Sequence, residues 1–219
     1  MKKCSFFLSF LFVGLVVAAQ GNSTTNDPAA TKVLNGVSAK FKTFKSVQAN
    51  FAYKVENATG KALSTKTGTI LMKGTSYKLN FNGLEVFCNG TTVWSYDKAA
   101  KEVTINNLDV SGGTLTPQKL FSNFYDKDFY SLLKGESKVG AKTMQEIQMT
   151  PVDKSKSFHS VVLTIDKAAQ SIYSTKVMEK NGNRYSYTVS AMKTNVPATD
   201  AMFVFDPKKY PGIVVEDLR

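Results

Sequence analysis

The chain has 219 residues, of which 42% are hydrophobic, and it carries a formal net charge of +11. This length fits one domain, in particular an all-β one, and is sufficient to bury a large core. With one histidine and two cysteines that lie far apart, the composition lacks the clustered ligands that a zinc site needs.

Residues 1–19 have the three parts of a secretory signal peptide. Lys2 and Lys3 make the start positive, residues 4–17 are apolar, and Ala18-Ala19 completes a small-residue cleavage site. The apolar run is shorter than the ~20 residues of a membrane-spanning helix, although an uncleaved anchor is the alternative. We therefore predict an exported chain that begins near Gln20, with a disordered leader over residues 20–26 and a single domain over residues 27–219.

Removal of this peptide would lower the charge to +9 and leave Cys88 as the single cysteine. No intramolecular disulfide could then form, and the apolar surroundings of Cys88 favour a small buried residue over a reactive thiol. The excess of lysine favours an anionic lipid surface or an acidic protein as a partner, or else forms a solvated face. No nucleic acid partner is expected for an exported protein.

Asp27-Pro28 predicts the start of a helix, with Asp27 as the N-cap and Pro28 at the first helical position. Apolar residues then recur at spacings of three and four, and they are Val33, Leu34, Val37, Phe41 and Phe44. Lysines occupy positions between them. The pattern predicts an amphipathic helix whose single apolar stripe covers another element.

Strand patterns dominate the rest of the chain. Apolar and polar residues alternate over residues 47–55, which is the period of a half-buried strand. Further strands are predicted at residues 67–73, 79–87 (with the alternation beginning at Tyr77), 103–105, 144–150, 161–166, 172–179, 184–192, 201–205 and 213–215. Residues 129–133 fit either a helix or a strand.

Residues 89–96 predict a hairpin near the middle of the sheet. Asn89-Gly90 is a turn pair, because a type I′ turn needs positive φ at both central positions. Trp94 is the only tryptophan of the chain and lies two residues before Tyr96, so the two share one face of the strand. The pattern leaves open whether that face is the concave one. Asn181-Gly182 predicts a second such turn.

Thr116-Pro117 predicts a second short helix, whose apolar stripe is Leu120, Phe121 and Phe124. The chain thus contains about ten strands and two or three short helices, without the alternation of strand and helix that builds a parallel sheet. The predicted fold class is mainly β (α+β). A large curved antiparallel sheet forms an open, half-closed β-barrel, and the short helices lie as a lid on its concave side.

The sequence offers little that could carry out catalysis. His159 is the single histidine and would have to serve in any Ser-His-Asp or Cys-His arrangement, and the chain has no G-x-S-x-G motif. No glycine-rich phosphate loop opens a helix. We expect no enzyme activity, no metal and no cofactor. The apolar residues that line the predicted sheet form either a solid core or a ligand cavity.

Several motifs, in their order and spacing, resemble the LolA family of periplasmic outer-membrane lipoprotein carriers. The amphipathic helix is followed by Phe41-x-x-Phe44, and then by the strand Phe51-Ala52-Tyr53-Lys54-Val55. The later motifs are Gly68-x-Ile70-x-Met72-Lys73, Asn89-Gly90-x-x-Val93-Trp94-x-Tyr96-Asp97, Thr116-Pro117 and Phe203-Val204-Phe205-x-Pro207. The resemblance covers nearly the whole predicted mature chain, and the motif around Trp94 is its most specific part.

The resemblance implies a monomeric periplasmic protein that binds the acyl chains of lipoproteins and shuttles them from the inner to the outer membrane. It implies acylated lipoproteins as cargo and an inner-membrane lipoprotein-releasing ABC transporter as donor, and leaves the outer-membrane acceptor open. The acyl chains would lie in a hydrophobic cavity. Its expected lining is Phe41, Phe51, Tyr53, Ile70, Met72, Tyr77, Leu79, Phe81, Trp94, Tyr96, Leu120, Phe121 and Phe124.

One position departs from the family pattern. Many members have Lys-Arg-Pro after the second strand, where the arginine is thought to hold the lid, and this chain has Lys73-Gly74-Thr75. The latch role therefore does not transfer to Gly74. Two other functions stay open, a periplasmic sensor or binder of lipid or glycolipid on the same fold, and a secreted hydrolase that depends on His159.

Overall fold

The computed structural model describes residues 25–109 and 128–219, which form one helix and a curved, open sheet of twelve strands. The helix α1 is Pro28–Lys42. The strands are β1 (Val47–Glu56), β2 (Ala62–Lys73), β3 (Ser76–Phe81), β4 (Leu84–Cys88), β5 (Thr92–Asp97), β6 (Glu102–Asn107), β7 (Phe129–Val139), β8 (Lys142–Pro151), β9 (Phe158–Asp166), β10 (Ser171–Glu179), β11 (Arg184–Thr194) and β12 (Val214–Asp217). Two 3₁₀ helices, Asp200–Phe203 and Pro207–Lys209, precede β12. None of the helices in these ranges is long and apolar enough to span a membrane.

The sheet consists of two antiparallel meanders placed side by side. Strands β1 to β6 follow one another in sequence order, as do β7 to β11, and β1 pairs with β11 to join the two sets. Short β12 adds to β6 in parallel at one edge, and β7 forms the other edge. This arrangement, with α1 as a lid on the concave side, confirms the predicted open β-barrel.

Helix α1 begins and packs as its sequence predicts. The Oδ1 atom of Asp27 accepts a hydrogen bond from the backbone N–H of Ala29 at 2.9 Å, and Pro28 needs no partner at the first helical position. Ala30, Leu34 and Val37 are buried. They pack in one cluster with residues of β7 to β10, so the helix covers only one of the two meanders.

The two faces of the β1–β6 meander differ in what they carry. On the concave face, cross-strand partners run from Met72 through Tyr77 and Cys88 to Val93. On the convex face, Phe87 is opposite Trp94, and Tyr96 is opposite Val103. The convex residues are covered by the C-terminal segment (residues 195–213), which contributes Phe205, Tyr210 and Ile213. The structure thus resolves the open question about Trp94, which lies on the convex face.

Three predicted elements need correction. Residues 79–87 are two strands, because Asn82 and Gly83 have φ of 52° and 83° and form the tight turn between β3 and β4. Residues 201–205 contain a 3₁₀ helix and no strand. The ambiguous residues 129–133 belong to β7. The predicted turns at Asn89-Gly90 and Asn181-Gly182 are present, but only their glycines have positive φ.

Some predictions fall outside the described residues. These are the signal peptide over residues 1–19, most of the leader over residues 20–26, and the second helix with Leu120, Phe121 and Phe124.

Candidate ligand site on the concave face

The half of the concave face beneath α1 is a closed core. Ala30 is 0% exposed and Leu34 is 3% exposed, and the strands opposite present equally buried aliphatic side chains. The strand residues of this cluster are Phe129, Ile147, Met149, Phe158, Val161, Leu163, Ile165, Ile172 and Val177. No space for a ligand is left there, so any concave binding site belongs to the other meander.

The end of α1 closes part of that second half. Phe41 and Phe44 meet edge to face, with ring centroids 6.1 Å apart, and pack on a buried cluster that includes Ile70, Met72 and Tyr77. Burial, together with the neighbouring Cys88, raises the pKa of Tyr77 to about 12. Burial also raises the pKa of the Cys88 thiol. These side chains form packed core in this conformation.

Beyond this cluster, the concave face carries a patch of incompletely buried rings, here called the aromatic patch: Phe51, Tyr53, Phe81, Tyr185 and Tyr187. Phe51 stacks on Phe81 at 5.7 Å, and Tyr53 meets Phe81 edge to face at 5.5 Å. Tyr53 also contacts Tyr187 and Tyr185, with centroids 4.9 and 6.2 Å apart. The rings come from β1, β3 and β11, and α1 does not cover them.

Gly68 makes room for this patch. It lies in β2 directly between Phe51 of β1 and Phe81 of β3. A Cβ atom at this position would lie 2.5 Å from Cζ of Phe51 and 2.8 Å from the backbone oxygen of Asn80. The two rings can therefore stack across β2 only because residue 68 has no side chain.

The patch is uncharged over a wide pH range. Burial raises the pKa of Tyr53 to about 12, and the neighbouring Tyr187, Tyr185 and Glu179 add to the rise. Burial also raises the pKa of Tyr187. A surface of neutral rings with a few hydroxyl groups favours an apolar ligand that has some polar groups.

The structure distributes the predicted lining residues over three environments. Phe51, Tyr53 and Phe81 belong to the aromatic patch, whereas Leu79 is partly buried beside the cluster under Phe41. Trp94 and Tyr96 pack on the convex face against the C-terminal segment, separated from the patch by the sheet. The sequence analysis missed Tyr185 and Tyr187, although their alternation within residues 184–192 was visible.

The N-terminus of α1 is fastened to the edge strand β7. Asn26 Oδ1 accepts hydrogen bonds from the backbone N–H and the hydroxyl of Ser131, at 2.9 and 3.1 Å. Asp27 Oδ2 accepts one from the backbone N–H of Leu133 at 3.0 Å. The bonds from the backbone N–H groups of Leu133 and Ala29 lower the pKa of Asp27. In this chain, where Gly74 replaces the family arginine, these bonds tie the lid to the sheet.

No catalytic or metal-binding group appears among the residues that the structure describes. His159 is exposed near the start of β9. Within residues 25–109 and 128–219, no three His, Cys, Asp or Glu side chains are grouped so that they could hold a metal ion.

Comparison with known proteins places the chain in a family. The model of the outer membrane lipoprotein carrier protein LolA matches residues 42–206, which is most of the sequence. The chain belongs to the LolA family. The match includes all of β1 to β11 and therefore the aromatic patch. Proteins of the LolA superfamily are carrier or binding proteins. No curated protein matches the sequence.

Solved structures show the same fold at low sequence identity. An uncharacterized conserved protein from Thermus thermophilus is 13% identical, with a TM-score of 0.60 over 86% of this chain and 99% of the other. A DUF1329 family protein from Desulfovibrio piger is 16% identical, with a TM-score of 0.47 over 82% of this chain and 98% of the other. Lipoprotein LppX from Mycobacterium tuberculosis is 12% identical, with a TM-score of 0.45 over 80% of this chain and 99% of the other.

Proposed function

We propose that this protein is a periplasmic carrier that binds the acyl chains of lipoproteins on the aromatic patch and shuttles them from the inner to the outer membrane. The observation that carries the proposal is the patch itself, a set of neighbouring rings on the concave face that neither α1 nor another described element covers. Apolar surface of this kind in a folded protein marks a binding site. Family membership supports lipid chains or lipoproteins as the ligand.

The physical need for such a carrier follows from the cargo. Each methylene group of an acyl chain gains about 0.8 kcal/mol when it leaves water, so an acyl chain does not cross an aqueous space without cover. A carrier must also release what it binds. A shallow, half-exposed patch beside a lid held by a few hydrogen bonds suits reversible binding better than a closed cavity would.

The expected partners follow from this role. An inner-membrane lipoprotein-releasing ABC transporter would load the protein, and an outer-membrane acceptor of unknown identity would receive the lipoprotein. Transfer of this kind forms no covalent bond, and we propose that the protein is a monomer without enzyme activity, metal or cofactor.

Binding of a fluorescent fatty acid tests the ligand site. Tyr187 is 38% exposed, so Tyr187→Ser should fold while it removes one ring of the patch. We expect about a tenfold weaker affinity for the probe, as about 1.4 kcal/mol of lost apolar contact would give. Tyr130→Ser, at a tyrosine of β7 outside the patch, is the matched control. Equal affinity of both variants and the parent protein would contradict the assignment.

Two further measurements separate carrier from sensor. Depletion of the protein in its source cell should leave lipoproteins at the inner membrane, as fractionation would show. Native mass spectrometry of the purified protein should find an acylated protein or its lipid. A bound glycolipid, with lipoprotein location unchanged on depletion, would instead favour a lipid-sensing protein on the same fold.

A further inference from the structure

The C-terminal segment alternates buried aromatic and exposed aliphatic residues. Phe203 and Phe205 are 0% and 4% exposed, whereas Met202 and Val204 between them are 45% and 41% exposed. Phe205 is fixed against Phe87 and Tyr96, with centroids 5.6 Å away in both cases. The segment is thus anchored to the convex face by two rings and presents two aliphatic side chains outward. These two, Met202 and Val204, are called the ridge below.

Cationic groups surround the ridge. A pocket of about 270 Å³ between the ridge and the sheet is lined by both ridge residues together with Lys78, Lys209, Leu71 and Phe87. Lys78 Nζ lies 4.6 Å from the ring centroid of Phe87 and has no ion pair among the residues described here. Lys208 is exposed next to Lys209. The apolar and the charged groups are therefore immediate neighbours.

The balance of charge around the segment is positive. Its two carboxylates are already paired, Asp200 with Lys73 at 2.8 Å and Asp206 with Lys209 at 3.8 Å. The start of the segment adds a further cation, because Asn195 Oδ1 accepts a hydrogen bond from the backbone N–H of the exposed Lys45. Lys45, Lys78 and Lys208 thus remain as cations in excess of the two acids.

The hydrogen bonds of the segment hold the ridge in place. Ser46 donates its hydroxyl to the backbone oxygen of Val196 at 2.6 Å, and Tyr210 donates its hydroxyl to Glu85 at 2.8 Å. Burial and this bond raise the pKa of Tyr210 to about 12. Asp206 accepts the backbone N–H of Lys208 and so caps the second 3₁₀ helix. Little ordering is needed before the ridge can bind a partner.

We propose that the ridge is a membrane-docking site that inserts into the surface of an anionic phospholipid bilayer. Two aliphatic side chains enclosed by lysines match the interface of such a bilayer, where apolar groups enter below the head groups and lysines meet the phosphates. A stable protein interface needs a contact area of roughly 800 Å² on each side, far more than two side chains supply. The ridge lies on the opposite face from the aromatic patch, so this inference does not depend on the proposed ligand.

Vesicle flotation tests the docking site. The protein is purified as the producing cell processes it, with its N-terminus measured by mass spectrometry, and mixed with vesicles of phosphatidylcholine alone or with added phosphatidylglycerol. The parent protein should float only with the anionic vesicles, and added salt should release it. Met202→Ser with Val204→Ser should weaken flotation about tenfold or more, because both aliphatic contacts are lost. Lys208→Gln with Lys209→Gln should weaken it by about fivefold for each lysine.

Matched controls come from the β7–β8 hairpin at the far edge of the sheet. Val139 and Val152 are each 42% exposed, and Lys134 and Lys138 are exposed on the same hairpin. Val139→Ser with Val152→Ser, and Lys134→Gln with Lys138→Gln, change the same chemistry elsewhere and should leave flotation unchanged. Urea unfolding of each variant checks that it is folded. Flotation that is equal with neutral vesicles, or equal in the ridge and control variants, would overturn the proposal, as would no flotation at all.

Discussion

At the scale of single residues, the site depends on one position where a side chain is missing and one where a carboxylate is placed. Gly68 lets Phe51 and Phe81 stack across β2. Asp27 ties α1 both to its own first turn and to β7. Neither role follows from residue type alone, because glycine in a strand and aspartate before a helix are both common.

Gly68→Ala should destabilise the protein and disturb the patch. The added Cβ would overlap the Phe51 ring and the Asn80 carbonyl, so the ring must move or the strands must separate. Overpacking of this kind costs about 1–3 kcal/mol of unfolding free energy. Urea unfolding measures this loss, and Thr67→Ala at the neighbouring exposed position is the control. An unchanged stability would show that the rings are free to move aside.

The contribution of Asp27 should disappear in acid. Its pKa is lowered from the usual 3.8 by the backbone N–H groups of Leu133 and Ala29, so the folded state favours the ionised form. The stabilisation is therefore fully present above pH 3.8 and is lost as the pH falls through the lowered value. The difference in unfolding free energy between the parent protein and Asp27→Ala should be largest at neutral pH and smaller below pH 3.8. A difference independent of pH would contradict this role.

At the scale of elements, α1 behaves as a lid with a permanent and a variable part. Its first half lies in a closed core with β7 to β10, and its end places Phe41 and Phe44 at the border of the aromatic patch. Loosening the helix would therefore change the patch only through its last turn. The bonds of Asn26 and Asp27 hold the opposite end of the helix.

Leu34→Ala should test how firmly the lid is seated. Leu34 is 3% exposed within the core cluster, and replacing such a leucine by alanine costs about 2–5 kcal/mol of unfolding free energy. Lys32→Ala, on the exposed side of the same helix, should cost under about 0.5 kcal/mol. Thermal or urea unfolding of the pair gives both values, and equal losses would mean that α1 does not bury this face.

Much of the element order was predictable because local patterns determine it. Asp27-Pro28 set the helix start, and the alternation over residues 47–55 set β1. The turn at Asn82-Gly83 was missed because apolar residues continue on both sides of it. Residues 201–205 alternate like a strand, yet they form no strand, because their two phenylalanines are buried under packing with distant residues.

At the scale of the whole molecule, the sheet separates two apolar regions. The concave face holds the aromatic patch, and the convex face holds the cluster of Phe87, Tyr96 and Phe205 with Trp94. Sequence alone could not assign Trp94 and Tyr96 to a face, because strand alternation shows which residues share a face but not what covers it. Tyr185 and Tyr187 join the patch only through the pairing of β11 with β1.

Trp94→Ala should therefore lower stability without changing ligand affinity. Loss of the partly buried ring from the convex cluster should cost about 1–3 kcal/mol of unfolding free energy. The affinity for a fluorescent fatty acid should stay as in the parent protein, because the ring is on the other side of the sheet. A weakened affinity at unchanged stability would place Trp94 in the ligand site.

The pairing of β1 with β11 has a consequence for the rate of folding. Each meander forms from neighbouring stretches of chain, but the partner of Val47 in β11 is Thr194, so this pairing closes a very long loop. Non-local contacts of this kind slow folding. We expect Val189→Ala, at the junction of the two meanders, to slow refolding, and Val162→Ala, inside the second meander, mainly to speed unfolding. Stopped-flow measurements in urea would show the two effects separately, and the order in which a chain leaves an export channel would then matter for its assembly.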